Sequence, residues 1–260
     1  MVRRNDIHGF FNGVVPGTWG RLEDDRYNND VDVYLNRIWD IRDDGLEPEG
    51  TCINNRFWAN TVAHMLMGVS LCPITIGPTW VIRNVFYDYY GQAWKLSNHS
   101  AGVVFNYHNT AWTARPGRNA ATSGQPWDNH TWRNNIIVAT RYVIEDRYQH
   151  SRTSFDYDCL FTSYGGPIIK WQGRRYRTLE DFRAGTGFEQ HGLVADPKFV
   201  DPARADLRLR PDSPCVDAAV AIPGINDRFA GTGPDIGAFE ASPAGQPAIA
   251  LPRPLPEYAR

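Results

Sequence analysis

Short apolar runs that end at an asparagine or aspartate recur along the chain. Each run contains β-branched or aromatic residues, and one or two further apolar residues follow the polar one. We call the polar residues of these repeats the anchors: Asn5, Asn36, Asn55, Asn84, Asn109, Asn135 and Asp158. They are separated by 31, 19, 29, 25, 26 and 23 residues. An irregular period of about 25 residues, with short strands and polar turns, indicates a parallel β-helix, in which each coil contributes about three strands.

A recurring asparagine has a physical role in such a coil. Equivalent residues of successive coils stack about 4.8 Å apart. Asparagine tolerates the left-handed backbone of a sharp corner, and its amide can hydrogen-bond to the asparagine one coil above. The pattern therefore predicts an all-β solenoid. An antiparallel sandwich with regularly spaced turns is the alternative, but the hairpin dipeptides that it needs are few.

The pattern divides the chain into three regions. Residues 1–165 carry the coils. Residues 166–240 are expected to form a closing segment that contains the C-terminal end of the β-helix. In this segment Thr178 precedes 179–184 (LEDFRA) as a helix N-cap does, which predicts a short helix over one end or flank of the coils. Residues 241–260 are rich in proline and alanine and predict an extended tail.

The first coil begins close to Met1, and the sequence offers no cap before it. A solenoid end needs cover because its strand edges are exposed. We therefore expect either a fragment of a longer secreted protein or an end-to-end dimer in place of a monomer. Residues 1–6 lack the apolar core of a signal peptide.

Four motifs in the C-terminal third resemble a known closing segment. They are 196–202 (DPKFVDP), 206–209 (DLRL), 212–218 (DSPCVDA) and 233–240 (GPDIGAFE). Over about 45 residues they closely resemble the end of bacterial right-handed parallel β-helix proteins, the pectate-lyase-like superfamily. The resemblance implies a single-stranded right-handed solenoid and an extracellular or periplasmic location. It does not specify a reaction, because the superfamily includes lyases, hydrolases, epimerases, esterases and adhesins.

Composition excludes several classes of partner. The net charge is −2, from 27 Lys+Arg against 29 Asp+Glu, which argues against nucleic acid because phosphate binding needs clustered positive charge. No apolar run approaches the roughly 20 residues that cross a membrane. The chain is rich in aromatic residues, which suit either core packing or stacking on sugar rings. The four cysteines lack metal-ligand spacing and are expected to be buried thiols.

The densest acidic cluster comprises Asp43, Asp44, Glu47 and Glu49, with Glu23, Asp24, Asp25, Asp30 and Asp32 upstream. Paired carboxylates can hydrolyse glycosides, one as acid and the other as base, and crowding raises the pKa of one of them. The alternatives are a solvated loop or a calcium site with Asp43, Asp44 and Glu47 as ligands. No cofactor is otherwise required.

Counting from the anchors predicts a column of polar residues on one face. Glu47 and Lys95 each lie eleven residues past an anchor, and Glu145 lies ten past one. Ser70 joins them if its coil carries a small insertion. Such a column suits an oligosaccharide groove, and a surface ladder of salt bridges is the alternative.

The order Asp43, Asp44, His64, Lys95 weakly resembles that of polygalacturonases. Here Arg42 stands where that family has glycine, no glycines flank His64, and the family's arginine before the lysine is absent. A lyase would instead use Lys95, Arg83 or His108 as base and to neutralise a uronate, together with calcium. The tryptophans that a sugar could stack on in either case are Trp80, Trp94 and Trp112.

These patterns predict an enzyme that cleaves a polysaccharide or oligosaccharide, with hydrolysis favoured by the acidic cluster over elimination or epimerisation. The predicted catalytic residues are Asp43, Asp44, Glu47, Lys95, His64 and His108. The predicted substrate-binding residues are Arg83, Trp94, Glu49 and Ser70. The alternative is a non-catalytic carbohydrate-binding or structural β-helix, such as the remnant of a truncated secreted protein.

Overall fold

A computed structural model of the chain describes residues 1–17 and 27–241, which form a parallel β-solenoid of about six turns. The strands are β1 (Val2–Arg3), β2 (Asp6–His8), β3 (Asn28–Asn29), β4 (Asp32–Tyr34), β5 (Arg37–Leu46), β6 (Cys52–Ile53), β7 (Asn55–Trp58), β8 (Thr61–Leu71), β9 (Thr79–Ile82), β10 (Val85–Tyr87), β11 (Gln92–Leu96), β12 (Val104–Tyr107), β13 (Thr110–Trp112), β14 (Ala121–Ser123), β15 (His130–Arg133), β16 (Ile136–Ala139), β17 (Ile144–Glu145), β18 (Ser154–Asp156), β19 (Cys159–Thr162), β20 (Ile169–Trp171), β21 (Arg174–Tyr176), β22 (Leu193–Val194), β23 (Phe199–Asp201) and β24 (Asp206–Leu209). One α-helix, α1 (Leu179–Thr186), and a 3-10 helix, Pro202–Arg204, complete the elements.

The coils stack into three faces. The first face is the sheet β1-β4-β7-β9-β12-β15-β18. The second face contains β2, the N-terminal halves of β5 and β8, then β10, β13, β16, β19 and β22. The third face contains the C-terminal halves of β5 and β8, then β11, β14, β17 and β20. All of these pairings are parallel, which confirms the solenoid and excludes the antiparallel sandwich.

Side chains of the first face alternate between the core and the outside, as period-two strands require. One inward column runs along the axis through Val33, Phe57, Val81, Asn106, Trp132 and Phe155. All six are buried. The core is therefore continuous from coil to coil, and each coil packs only on its neighbours.

The asparagine ladder lies at the corner between the first and second faces. From Asn36 onwards, each ladder Oδ1 accepts hydrogen bonds of 2.7–3.1 Å from the backbone N–H and the side-chain amide of the ladder residue one coil earlier. The second amide hydrogen of five members donates to a backbone carbonyl of the first face. The ladder consists of Asn5, Asn36, Asn60, Asn84, Asn109, Asn135 and Asp158.

Two details of the predicted anchors were wrong. Asn60, not Asn55, occupies the ladder position of its coil, so the spacings become 31, 24, 24, 25, 26 and 23. Asn55 instead opens a first-face strand and accepts from the Val31 N–H at 3.1 Å. The left-handed backbone belongs to the residue before each ladder position, with φ of 51–62° at Arg4, Leu35, Ala59, Arg83, His108, Asn134 and Tyr157.

The short helix predicted after Thr178 is confirmed. Thr178 Oγ1 accepts from the Asp181 N–H at 3.1 Å, and Gly187 ends the helix with a left-handed φ of 76°. Leu179 and Phe182 are buried, and the Phe182 ring packs on Tyr176 and on Phe188. Because Phe188 also contacts core aromatic rings, α1 covers the C-terminal end of the core.

After β22, residues 195–241 add no further coil. They fold back along the outer side of the second face, where one outward column runs through Val85, Thr110, Ile136, Cys159 and Leu193. Buried apolar residues of the returning segment pack against this face: Phe199, Leu207, Leu209, Cys215, Ile236 and Ala238. From β10 to β19 the second face is thus buried on both sides, which explains why these strands are mostly apolar.

The predicted tail, apart from residue 241, and the upstream acidic residues Glu23, Asp24 and Asp25 lie outside the described residues. Within the described ranges, no helix is both long and apolar enough to cross a membrane.

Candidate functional site: a buried carboxylate cluster on the third face

The predicted polar column exists on the outer side of the third face. Parallel pairing aligns Ser70 with Lys95, and Glu47 directly follows Leu46, which pairs with Val69. The register continues through Thr122, Glu145 and Lys170, of which Thr122 and Lys170 were missed by the sequence analysis. The complete column is Glu47, Ser70, Lys95, Thr122, Glu145 and Lys170.

Three carboxylates meet at one end of this column. Asp44, Glu47 and Glu49 each place a carboxylate oxygen within 4.8 Å of the other two. We call them the carboxylate cluster. Their exposed fractions are 1%, 7% and 2%, so the cluster is nearly closed to solvent. A shift in register between Ile41 and Asp44 of β5 changes which side chains of this strand face the outside.

Three polar side chains hold the carboxylate cluster. The Lys95 Nζ lies 2.8 Å from Asp44 Oδ2 and 3.9 Å from Glu49 Oε1. The Ser70 hydroxyl donates a hydrogen bond to Glu49 Oε1. Asn12, which was not among the predicted site residues, donates to Glu47 Oε2 at 2.6 Å.

Burial raises the pKa of all three carboxyls. It raises the pKa of Glu49 to about 7, although the Ser70 hydrogen bond and the Lys95 charge oppose the rise. The pKa of Asp44 is raised by burial, against the hydrogen bond and charge of Lys95, and that of Glu47 by burial and then by the Asp44 charge. Burial lowers the pKa of Lys95, but the hydrogen bond and charge of Asp44 outweigh it and the pKa rises. Because burial outweighs these opposing contacts, a Glu49 carboxyl with a pKa of about 7 is about half protonated at neutral pH.

Asp43 stands beside the cluster and is not one of its three close members. The charge of Asp43 contributes to raising the pKa of both Asp44 and Glu47. The calcium ligands predicted as Asp43, Asp44 and Glu47 are therefore replaced by Asp44, Glu47 and Glu49 as the only three carboxylates of the described residues that are close enough to share an ion.

The cluster fits a hard cation in ligand type but not in charge balance. Carboxylate oxygens are the ligands that calcium prefers, and Asp44 Oδ1 is buried with no hydrogen-bond partner among the described residues. However, the Lys95 ammonium already lies against Asp44 and near Glu49. A divalent ion would have to displace it or bear its repulsion, so the resident cation of this site is the lysine.

The two predicted catalytic histidines lie elsewhere. His64 pairs through Nδ1 with Asp88 at 2.9 Å, at the turn between the second and third faces, and Arg115 binds the same carboxylate. His108 is fully buried beneath the returning C-terminal segment, where its Nδ1 faces the Gly237 carbonyl at 3.3 Å. Neither histidine therefore contacts the carboxylate cluster in the described part of the chain.

His108 is held as a neutral ring. Burial, followed by the charge of Arg83, lowers its pKa to about 3. The amides of Asn134 and Asn226 donate to Nε2 at 3.0 and 2.8 Å, which requires the proton on Nδ1. Its surroundings indicate a structural role, which corrects the predicted catalytic one. Arg83 likewise binds the C-terminal segment, through Glu240 at 2.9 Å.

The tryptophans do not form a sugar platform. Trp94 is fully buried between Phe86 and Trp132, which corrects its predicted substrate-binding role. Trp80 packs on Phe105 with ring centroids 4.4 Å apart, and Trp112 stacks on Tyr87 at 5.1 Å. Neighbouring coils thus occupy the ring faces that a sugar would need.

A cleft of about 750 Å³ lies away from the carboxylate cluster. It runs between the ladder corner and residues 224–240, and its lining includes Arg4, Arg228 and Phe239. No residue of the polar column lines it.

No family model matches the chain, and no curated protein or solved structure matches it either. Fold and site together therefore define the chain as a parallel β-solenoid that carries a buried carboxylate cluster and a polar column on its third face.

Proposed function

We propose that the protein is a member of the pectate-lyase-like superfamily that hydrolyses glycosidic bonds of a polysaccharide at the carboxylate cluster. One observation carries the proposal: Glu49 has a pKa of about 7 and lies within reach of two further carboxylates. A carboxylic acid that keeps its proton near neutral pH can act as general acid, and glycoside hydrolysis pairs such an acid with a carboxylate.

The contacts favour different roles for the three carboxyls. Glu49 protonates the leaving glycosidic oxygen. Asp44 is bound by Lys95, whereas Glu47 is held by the neutral Asn12 amide and is the better nucleophile. Glu47 attacks the anomeric carbon as the bond to the leaving oxygen breaks. Water then releases the sugar from Glu47, while Glu49 takes the water's proton.

The separation of the carboxylates favours retention of configuration. Retaining enzymes hold their two carboxyl groups about 5–5.5 Å apart, and inverting enzymes about 6.5–9.5 Å apart, because a water must fit between them. One oxygen of each carboxylate lies within 4.8 Å of an oxygen of the other two, which leaves less room for a water between them than the longer separation does. The first sugar product is therefore expected to keep the anomeric configuration of the substrate.

Elimination is less well supported by the same contacts. A lyase needs a base that loses its proton near neutral pH, but the pKa of Lys95 is raised and its ammonium binds Asp44. The buried His108 is committed to the C-terminal segment. Calcium is not part of the proposed reaction, because Lys95 supplies the positive charge at the cluster.

To test the proposal, the protein is incubated with neutral and with acidic polysaccharides. Each incubation is carried out both with added calcium and with a chelator. New reducing ends without ultraviolet absorbance from unsaturated uronates would support hydrolysis, and both signals together would contradict it in favour of elimination. Glu49→Gln should lower turnover at least 100-fold. Glu180→Gln, at an exposed helix position, is the matched control and should keep wild-type turnover.

The burial of the cluster favours a second candidate, a non-catalytic solenoid that binds carbohydrate or serves as a scaffold. Side chains exposed by 7% or less offer a polysaccharide little contact. Absence of both signals across the panel would favour this function. Binding of a polysaccharide without turnover would then identify the protein as a carbohydrate-binding solenoid and not a scaffold.

A further inference from the structure

The cleft of about 750 Å³ lies between the ladder corner and the returning C-terminal segment. One row of its lining consists of the left-handed residues that precede the ladder positions of the first four coils: Arg4, Leu35, Ala59 and Arg83. Because equivalent residues of successive coils stack about 4.8 Å apart, this row is about 14 Å long. Arg83 closes one end of it, since its guanidinium binds Glu240 of the segment at 2.9 Å.

The middle of the cleft is apolar. Leu35 and Ala59 lie between the two arginines of the row, and Leu35 is 41% exposed although it is a large apolar residue. The segment contributes Ile225, Ala238 and Phe239 to the lining. A volume of 750 Å³ falls within the range of sites that hold small organic molecules, which is about 300–1,000 Å³. Such a surface favours a ligand with an apolar body.

The carboxylates that line the cleft already have partners. Each accepts a hydrogen bond of 2.6–2.9 Å: Glu240 from Arg83, Asp6 from the Trp39 indole N–H, and Asp227 from the Gly224 N–H. These contacts satisfy the negative charges of the cleft from within the protein. The described lining therefore offers a cation no unpaired carboxylate.

Three arginines of the same lining are not matched in this way. Arg4 and Arg228 are exposed, and neither side chain makes a hydrogen bond or an ion pair with the described residues. Arg37 reaches Asp6 only at 3.8 Å, and its Nε is buried without a hydrogen-bond partner in the described part of the chain. Guanidinium groups bind oxyanions through paired hydrogen bonds. The unused donors therefore favour an anion as the ligand.

We propose that this cleft is a binding site for a small organic anion, whose apolar body lies on the middle of the row and whose carboxylate lies among Arg4, Arg37 and Arg228. An uncharged sugar fits less well, because it would place hydroxyls on the apolar middle and leave the arginines without an oxyanion. The site is separate from the proposed hydrolysis, since no residue of the polar column lines the cleft.

The probe that tests the charge requirement is 2-naphthoate, and 2-naphthamide, which has the same rings without the charge, is its matched control. Each is titrated into the full chain and followed by calorimetry. We expect naphthoate to bind at one site with a Kd below about 1 mM, and the amide to bind at least 10-fold more weakly. A naphthoate Kd above that value would overturn the proposal, as would a preference over the amide of less than 10-fold.

Variants test the location of the bound probe. Arg228→Gln should weaken the binding of naphthoate about 10-fold and leave that of the amide unchanged. Arg177→Gln, at an exposed arginine outside the cleft, is the matched control and should bind both probes as the wild type does. Ala59→Leu introduces the residue that Leu35 supplies one coil earlier, at the same left-handed position, and should exclude both probes.

Unchanged naphthoate binding in Arg228→Gln and in Ala59→Leu would place the probe elsewhere and overturn the proposal. Because the comparison of the two probes uses the wild-type chain, the proposal stays open to contradiction even if a variant fails to fold.

Discussion

At the scale of the residue, the asparagine ladder decides the coil register. A ladder amide accepts two hydrogen bonds and donates two, all within protein, so each buried polar atom of the side chain is satisfied. Asn55 was predicted for the third position because apolar residues flank it at Ile53 and Phe57, as the anchor pattern requires. Regular spacing would have favoured Asn60, but solenoid coils vary in length, so spacing alone does not decide between two nearby asparagines.

Replacing the two asparagines tests that register. Asn60→Ala removes the acceptor of the Asn36 N–H and amide and the donor to the Val33 carbonyl, which leaves buried groups unpaired. We expect it to lower the free energy of unfolding by roughly 3–5 kcal/mol. Asn55→Ala is the matched control and should cost about 1–2 kcal/mol, because only the Val31 N–H loses a partner. Equal losses in urea unfolding would contradict the assignment of Asn60 to the ladder.

The ladder ends in two carboxyls, which makes its last step sensitive to pH. Glu189 Oε2 accepts from the Asp158 N–H, and both side chains are buried. Burial raises the pKa of Asp158 to about 6, and burial together with the Asp158 charge raises that of Glu189 well above its ordinary value. The pair therefore holds a shared proton when folded, with Glu189 as the protonated member.

Glu189→Gln should remove the pH dependence that this proton causes. The folded state keeps a proton that the unfolded chain releases above its ordinary pKa of about 4.5, so stability falls as the pH rises from there towards the folded pKa. Glutamine resembles the protonated acid in shape and charge. We expect equal stability near pH 4 and a variant that is more stable by about 1–3 kcal/mol at pH 8.

Urea unfolding at both pH values measures this difference, with Glu180→Gln as the exposed control. A variant that is less stable than the wild type at pH 8 would show that the pair is not protonated in the folded protein.

At the scale of the element, the close packing of the third-face strands on the core depends on glycine. A Cβ built on Gly68 of β8 would lie 2.6 Å from both the Phe86 ring and the Ala93 carbonyl oxygen. Neither the Ala93 backbone nor the buried Phe86 ring can move to make room for a methyl group without a loss of stability. At Gly45, one coil earlier, an added Cβ would clash in the same way, because it would lie 2.2 Å from Val62 Cγ1.

Gly68→Ala should therefore lower the free energy of unfolding by about 1–3 kcal/mol, measured in urea. Gly165→Ala is the matched control, because a Cβ there meets no described atom within 4 Å and its loop is exposed. A neutral Gly68→Ala would contradict the close packing of β8 against the Phe86 ring and the Ala93 backbone.

The elements also show what sequence could and could not predict. Repeated anchors were enough for the coils and the polar column, because these depend on spacing and parallel register, and the Thr178 N-cap was enough for the short helix. The return of residues 195–241 was not predicted, because Val85 and Ile136, which face it, look in sequence like core residues. Without that return, His108 and Arg83 at the ladder corner resembled exposed candidates for catalysis.

At the scale of the whole molecule, the two long sides of the solenoid have different roles. The second face is closed by the C-terminal segment, while the third face carries the polar column and the carboxylate cluster. The sequence analysis found the carboxylates because they are dense along the chain. It placed Glu49 only among binding residues, because burial and the contact with Ser70 are not visible in a sequence.

The proposed hydrolysis depends on a proton that Glu49 keeps near neutral pH. Its titration can be followed through the carbon-13 shifts of the glutamate side-chain carboxyls against pH, in the wild type and in Glu49→Gln. We expect one carboxyl that titrates at about pH 7 in the wild type and is missing from the variant. If every glutamate outside the buried Glu189 titrates below about pH 5, the cluster holds no acid at neutral pH and the proposed hydrolysis loses its proton donor.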